Sequence, residues 1–138
     1  MSQENVELHF RANDAFNRRD MDALLAFMDT DVEFVSRLVP MEGAYHGHDG
    51  IRRWWDDLLD TLPDFTIEVV EVRDPEDLTV ATVRTRGHGA GSDILLDETV
   101  WQVARWRRGK CVWWRNFGTR AEALETLGLS EQDAHADS

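Results

Sequence analysis

Imidazole is the side chain that titrates nearest neutral pH, so general acid–base chemistry in this chain falls first to its histidines. His9 sits in "NVELHFRANDAFNRRD", one helical turn before Asn13, among polar groups on a segment with helical spacing. His46 and His48 fall in "YHGHDG", ahead of a helical stretch, where His46 is expected to hydrogen-bond the loop and His48 to be solvated. His88 lies in a Gly-rich turn and is expected to be exposed. Two spaced histidines without an acid placed beside them are too few for a metal site, so none is expected. His9 and His46 are the catalytic candidates.

The second feature is aromatic. "KCVWWRNF" (110–117) places Trp113 and Trp114 side by side in a stretch that reads as a strand. Neighbouring side chains on a strand point to opposite faces, so the two indoles serve opposite sides of one sheet. The lone Cys111 has no partner for an internal disulfide, no CxxC and no base beside it, which predicts a buried structural thiol in a reducing compartment.

Positioning these residues falls to one domain. The chain has 138 residues, 42% of them hydrophobic, with six Trp; that is enough for a single core and cramped for two. Its formal charge of −12, from 27 acidic against 15 basic residues, repels nucleic-acid phosphates and anionic lipid, so neither nucleic acid nor membrane is expected as a partner. The basic run "RWRRGK" reads as a solvated turn between strands. The first residues, "MSQENVELHF", lack the basic and apolar order of a signal peptide, and no apolar run approaches a membrane span; the expectation is a cytoplasmic protein.

Val6, Phe10, Asn13 and Phe16 fall at helical spacing and predict an amphipathic first helix; "MDALLAFM" predicts a short second one capped by Asp20. "DVEFVSR" alternates as a first strand. After a loop with Pro40, Gly43 and Gly47, Asp49 is expected to cap a third helix whose buried stripe is Ile51, Trp54 or Trp55, Leu58 and Leu62, ended by Pro63. From Phe65 the period becomes two, and "FTIEVVEV", "LTVATVRTRGH", "ILLDETVWQVARW" and "CVWWRNF" predict four more strands. Thr119 with Glu122 is a capping box for a short last helix stopped by Gly128. The expected organisation is one domain over 1–129 and a polar, disordered tail over 130–138. Helices followed by antiparallel strands make an α+β fold, and strands apolar on both faces call for a second layer, which another copy of the chain could supply.

Three phrases in this order, "NVELHFRANDAFNRRDMDALLAFMDTDVEF", "YHGHDGIRRWW" and "RRGKCVWWRNFGTRAEALETLGL", resemble the SnoaL-like branch of the nuclear transport factor 2-like superfamily. The resemblance implies a cone: a curved antiparallel sheet wrapped around three helices of the N-terminal half, a short C-terminal helix, a pocket between the layers and a homodimer joined through the convex faces. That superfamily includes ketosteroid isomerases, polyketide cyclases, epoxide hydrolases and dehydratases, besides proteins that only bind or assemble. The isomerase pattern, a carboxylate base with a Tyr and a protonated Asp, would fall at Ser36, near Ala12 and near Gln102, and none of the three is kept. Glu98 and Arg84, on neighbouring strands, could mimic part of an epoxide hydrolase's Asp–Arg–Asp set or form a salt bridge on the open sheet surface.

With Ser36 and Gln102 inward by that match, strand parity and helix spacing put Asn13, Phe16, Phe34, Ser36, Trp54, Leu58, Val100, Gln102, Trp114 and Asn116 around the pocket, with Val112 on the same face. Trp101, Val103, Trp113 and Arg115 fall on the convex side, at the expected dimer interface. The inward set suits a small-molecule site and equally a core with satisfied polar groups. The function expected is binding of a small apolar or aromatic molecule, with any catalysis being cofactor-free acid–base chemistry of cyclase, dehydratase or hydrolase type. The alternative is a non-catalytic dimeric carrier or scaffold.

Overall fold

The structure, a computed structural model, describes residues 2–35, 45–74 and 78–126. Ser36, Pro40, Gly43, the stop at Gly128 and the tail 130–138 lie outside the described residues. Three helices fall in the N-terminal half, α1 (Ser2–Asn17), α2 (Met21–Ala26) and α3 (Gly47–Thr61), with the first two strands between α2 and α3. The strands are β1 (Met28–Val35), β2 (Tyr45–His46), β3 (Thr66–Arg73), β4 (Leu78–His88), β5 (Leu95–Arg107) and β6 (Lys110–Phe117), and α4 (Arg120–Thr126) follows. They form one open six-stranded sheet in the order β2-β1-β6-β5-β4-β3. The fold class is α+β, as expected, with β1 and β6 paired in parallel inside an otherwise antiparallel sheet.

α1 packs on β3 and β4, and α3 on β1 and β2, so the helices share one face of the sheet. The buried stripe of α1 is His9, Ala12, Asn13 and Phe16, while Phe10, expected among the buried residues, is 44% exposed. It differs because the stripe tracks the contact with β4 and β5, which takes positions 9, 13 and 16 and turns position 10 outward. On α3 both Trp54 and Trp55 are buried. Phe16 touches both, with ring centroids 5.4 and 5.2 Å away, and meets Phe65 edge-on at 5.8 Å. Each such pair contributes roughly 0.5–1.5 kcal/mol beyond the area it buries.

Local signals set the element ends. Asp20 caps α2 by accepting from the Ala23 N–H at 3.0 Å. Thr119 accepts from the Glu122 N–H at 3.2 Å while its own hydroxyl donates to the Glu122 carboxylate at 3.0 Å. α3 starts at Gly47, ahead of the expected cap at Asp49, and its N-cap His46 makes no side-chain cap bond. The close approach of β2 explains Gly50, since a Cβ there would lie 2.9 Å from the Tyr45 carbonyl carbon. Arg108 and Gly109 both take positive φ, 50° and 76°, as a tight two-residue hairpin turn requires, so only the middle of the basic run is the solvated turn expected; Arg105 and the buried Trp106 belong to β5.

A bulge where Arg105 pairs with Trp113 and Trp106 with Cys111 corrects the parity of β6. Cys111, fully buried, faces the helices with Trp106, and Val112 is taken up in the irregularity. Beyond it the alternation resumes, Trp114 and Asn116 opposite Ala104 and Gln102, and Trp113 and Arg115 opposite Arg105 and Val103. The edge strand β3 is tied to α1 by Asn17, whose amide accepts from the Ile67 N–H at 2.9 Å and donates to the Ile67 carbonyl at 2.7 Å.

Candidate functional site

The helix-facing side of β5 presents Val100, Gln102, Ala104 and Trp106, and α1 lays His9 and Asn13 across it. His9 and Gln102 meet at 3.0 Å between Nε2 and Oε1, and His9 Nδ1 lies 2.6 Å from the Thr79 hydroxyl. The proton positions follow from the neighbours. Asn13 Nδ2 lies 3.3 Å from the His9 carbonyl, which can only accept, so that end of the amide is its NH2. The same NH2 donates to Gln102 at 2.9 Å, which makes that Gln102 atom the oxygen, and Gln102 returns a bond to Asn13 Oδ1 at 3.1 Å.

His9 Nε2, sharing the Gln102 oxygen, must therefore carry its proton. Nδ1 is then the bare nitrogen and accepts from the Thr79 hydroxyl, which in turn accepts from the Trp106 indole N–H at 2.7 Å. The ring also packs against Trp114, tilted by 43° with 4.6 Å between centroids. Burial pushes its pKa down from 6.5 to about 4, the Gln102 bond opposing this in part. His9 is neutral at pH 7, has 0% exposure and has both nitrogens engaged.

Next to this network is a cavity. Asn13, Phe16, Phe34, Trp54, Leu58, Val100, Gln102, Trp114 and Asn116 all border it, together with Ala12, Phe65 and Thr85 among others. No charged side chain is on this wall among the described residues. The hollow counted out to its mouth is about 610 Å³ and includes open solvent, but about 40 Å³ of it accepts the centre of a water-sized molecule. The smaller figure is the room a bound molecule finds without side-chain movement, space for about three waters at ~10–15 Å³ each. His9 is not on the wall; it sits behind Asn13 and Gln102 and fixes their orientation.

The other histidines stand apart. His46 is exposed, and residues 36–44 of the loop it was expected to bond lie outside the described residues; His48, expected to be solvated, is half-buried with its Nε2 3.0 Å from the Met28 carbonyl. The reason is that β2 points His46 outward opposite Glu33 while the first turn of α3 folds His48 back over β1. His88 is exposed and pairs with Asp64 at 2.7 Å. Arg84 forms its ion pair with Asp97, at 3.0 and 3.2 Å, and not with Glu98, because Glu98 stands opposite Thr85 on the other face. No group of three His, Cys, Asp or Glu among the described residues is placed to hold a metal.

On the far face, Trp113 lies between two guanidiniums, Arg105 at 5.6 Å and Arg115 at 5.1 Å, and Arg115 pairs with Glu33 at 3.2 Å. Trp101, Trp113 and Arg115 are half-buried, whereas Val103, expected beside them, is fully buried within the chain. Arg115 and Val80 stand opposite it and Trp101 and Arg105 flank it on the same face, so this short side chain is covered by its longer neighbours.

Thr79, Thr85 and Phe65 were not singled out from sequence. β4 alternates Thr79, Ala81, Val83 and Thr85 on its buried face, and that alternation was the available signal for the two threonines.

An uncharged cavity between a curved sheet and three helices, backed by a buried imidazole–amide network, is the arrangement for which comparison with known proteins was informative. The SnoaL-like domain family matches residues 9–114, and the chain belongs to it. No functionally curated protein matches. Among solved structures, an NTF2-like protein of unknown function from Burkholderia pseudomallei is 20% identical, with 91% of this chain and 97% of that one covered and a TM-score of 0.77. A putative SnoaL-like polyketide cyclase from Jannaschia is 19% identical over 91% of each chain, with a TM-score of 0.75. TerC, co-crystallised with polyporic acid, is 19% identical over 91% of this chain and 98% of that one, with a TM-score of 0.74. At these identities the likeness is one of fold. No described helix is long and apolar enough to cross a membrane.

Proposed function

We propose that this protein binds a small, mostly apolar or aromatic molecule in the cavity between its helices and sheet, as a homodimer joined through the outer sheet face. The observation that carries the reading is the wall itself: aromatic and aliphatic side chains, no charge among the described residues, and Asn13, Gln102 and Asn116 held in set orientations. This is how a site for a neutral ligand is built. A ligand larger than the resting space requires aliphatic or phenyl side chains of the wall to move. One fold relative was crystallised with polyporic acid, which supports the fold's capacity to hold a small molecule.

The reading is of binding. With His9 neutral and engaged at both nitrogens, any cyclase, dehydratase or hydrolase chemistry in the cavity would need another acid–base group. Half-buried Trp101 and Trp113 support the dimer, and the lone buried Cys111, whose thiol burial pushes up in pKa, is at home in the reducing cytoplasm. The test is tryptophan fluorescence titrated with a panel of aromatic compounds. Trp54 and Trp114 border the cavity, so a ligand changes their emission. No response to any compound overturns the reading in favour of a dimeric scaffold whose cavity is incidental.

A further inference from the structure

Among the polar atoms of the wall, the indole N–H of Trp54 stands out. Trp54 is 7% exposed, borders the cavity, and its Nε1 is buried with no hydrogen-bond partner among the described residues. Buried donors are nearly always paired, because stripping one of water with nothing in return costs far more than the group repays by packing. The five other tryptophans include Trp106 and Trp114, whose N–H groups are both satisfied, by Thr79 at 2.7 Å and by Asn116 at 2.9 Å. The ring of Trp54 is held by Phe34 at 4.6 Å and Phe16 at 5.4 Å, aromatic neighbours that offer its N–H no acceptor.

Asn116 points the same way. Its oxygen is committed to Trp114, which leaves its NH2 as the end it can offer to the cavity it borders. Two donors without a partner among the described residues, on an aromatic wall that is uncharged among those residues, match a neutral molecule that carries an acceptor oxygen on an aromatic frame. A carboxylate would find no cation to pair with on this wall among the described residues, and a pure hydrocarbon would leave both donors unmet.

We infer that the ligand is a neutral aromatic carbonyl compound whose oxygen accepts from Trp54 Nε1, making Trp54 the residue that selects carbonyl compounds over hydrocarbons of the same shape. This rests on the cavity being the binding site. The experiment compares acetophenone with ethylbenzene, single-ring probes that differ by the oxygen, by calorimetry on the wild-type protein and on Trp54→Phe. Loss of one hydrogen bond should weaken acetophenone about three- to tenfold in the variant and leave ethylbenzene within about twofold.

Equal changes for the two probes, or none, overturn the selector role of Trp54 while leaving the binding reading intact. Failure of both probes to bind the wild-type protein overturns the binding reading and this inference with it. Should Trp54→Phe not fold, the ¹⁵N-labelled wild-type protein carries the test: the Trp54 indole proton should move downfield with acetophenone and not with ethylbenzene. The same movement with both probes, or with neither, overturns the proposal.

Discussion

His9 on α1 and Gln102 on β5 meet at 3.0 Å, and the direction of every hydrogen bond around them follows from that contact and the Asn13 amide beside it. The imidazole serves as a fixed strut between a helix and a sheet, neutral by burial, and the two amides it holds in place are what the cavity meets. A side chain that reads from sequence as a proton carrier is here a positioning element.

Its pH behaviour follows. The folded-state value of about 4 lies below the ordinary 6.5, so between those pH values the unfolded chain holds a proton that the folded chain does not. His9 therefore contributes its full share of stability above about pH 6.5, and that share, about 3 kcal/mol, is lost as pH falls to about 4. Asp64, held below its usual range by the His88 backbone N–H, and Asp97, held there by Arg84, add their losses at lower pH. Urea melts from pH 7 to 4.5 should show the wild-type midpoint falling more steeply than that of His9→Gln; parallel curves would count against a buried neutral imidazole.

Gln102→Leu keeps the volume roughly but orphans the His9 Nε2–H and one end of Asn13. Each buried group left unpaired costs about 1–3 kcal/mol, so the variant should unfold about 3 kcal/mol more easily in urea at pH 7. A change below about 1 kcal/mol would mean that water or side-chain rotation satisfies these groups.

Asn17 ties α1 to the backbone of the edge strand at Ile67 through two short bonds. Asn17→Ala should cost about 1–2 kcal/mol and speed hydrogen exchange at the Ile67 amide before that of β4. Unchanged exchange at Ile67 would show that β3 is held by its pairing with β4 alone.

Trp101→Glu sets a charge on the outer sheet face, whose aromatic Trp113 is already flanked by Arg105 and Arg115. If that face joins two copies, the variant should elute as monomer on size exclusion where the wild type elutes as dimer. The same elution volume for both would place the interface elsewhere.

What the sequence determined by itself was the alternation of elements and, with the family resemblance to set parity, the inward face of β5 and of β6 past its bulge. Period-two runs from Leu78 and Leu95 carry that information locally, because each residue's face depends only on its neighbours. What only the tertiary structure decided were relationships between distant positions. The tautomer of His9 needs Thr79 and Gln102, 70 and 93 positions away; the burial of Val103 needs the longer side chains around it; the bulge at Cys111 needs the register against Trp106. A sequence shows which side chains are able to donate or accept, but whether a donor is met, as in Trp106, or left without a partner among the described residues, as in Trp54, depends on what packs against it.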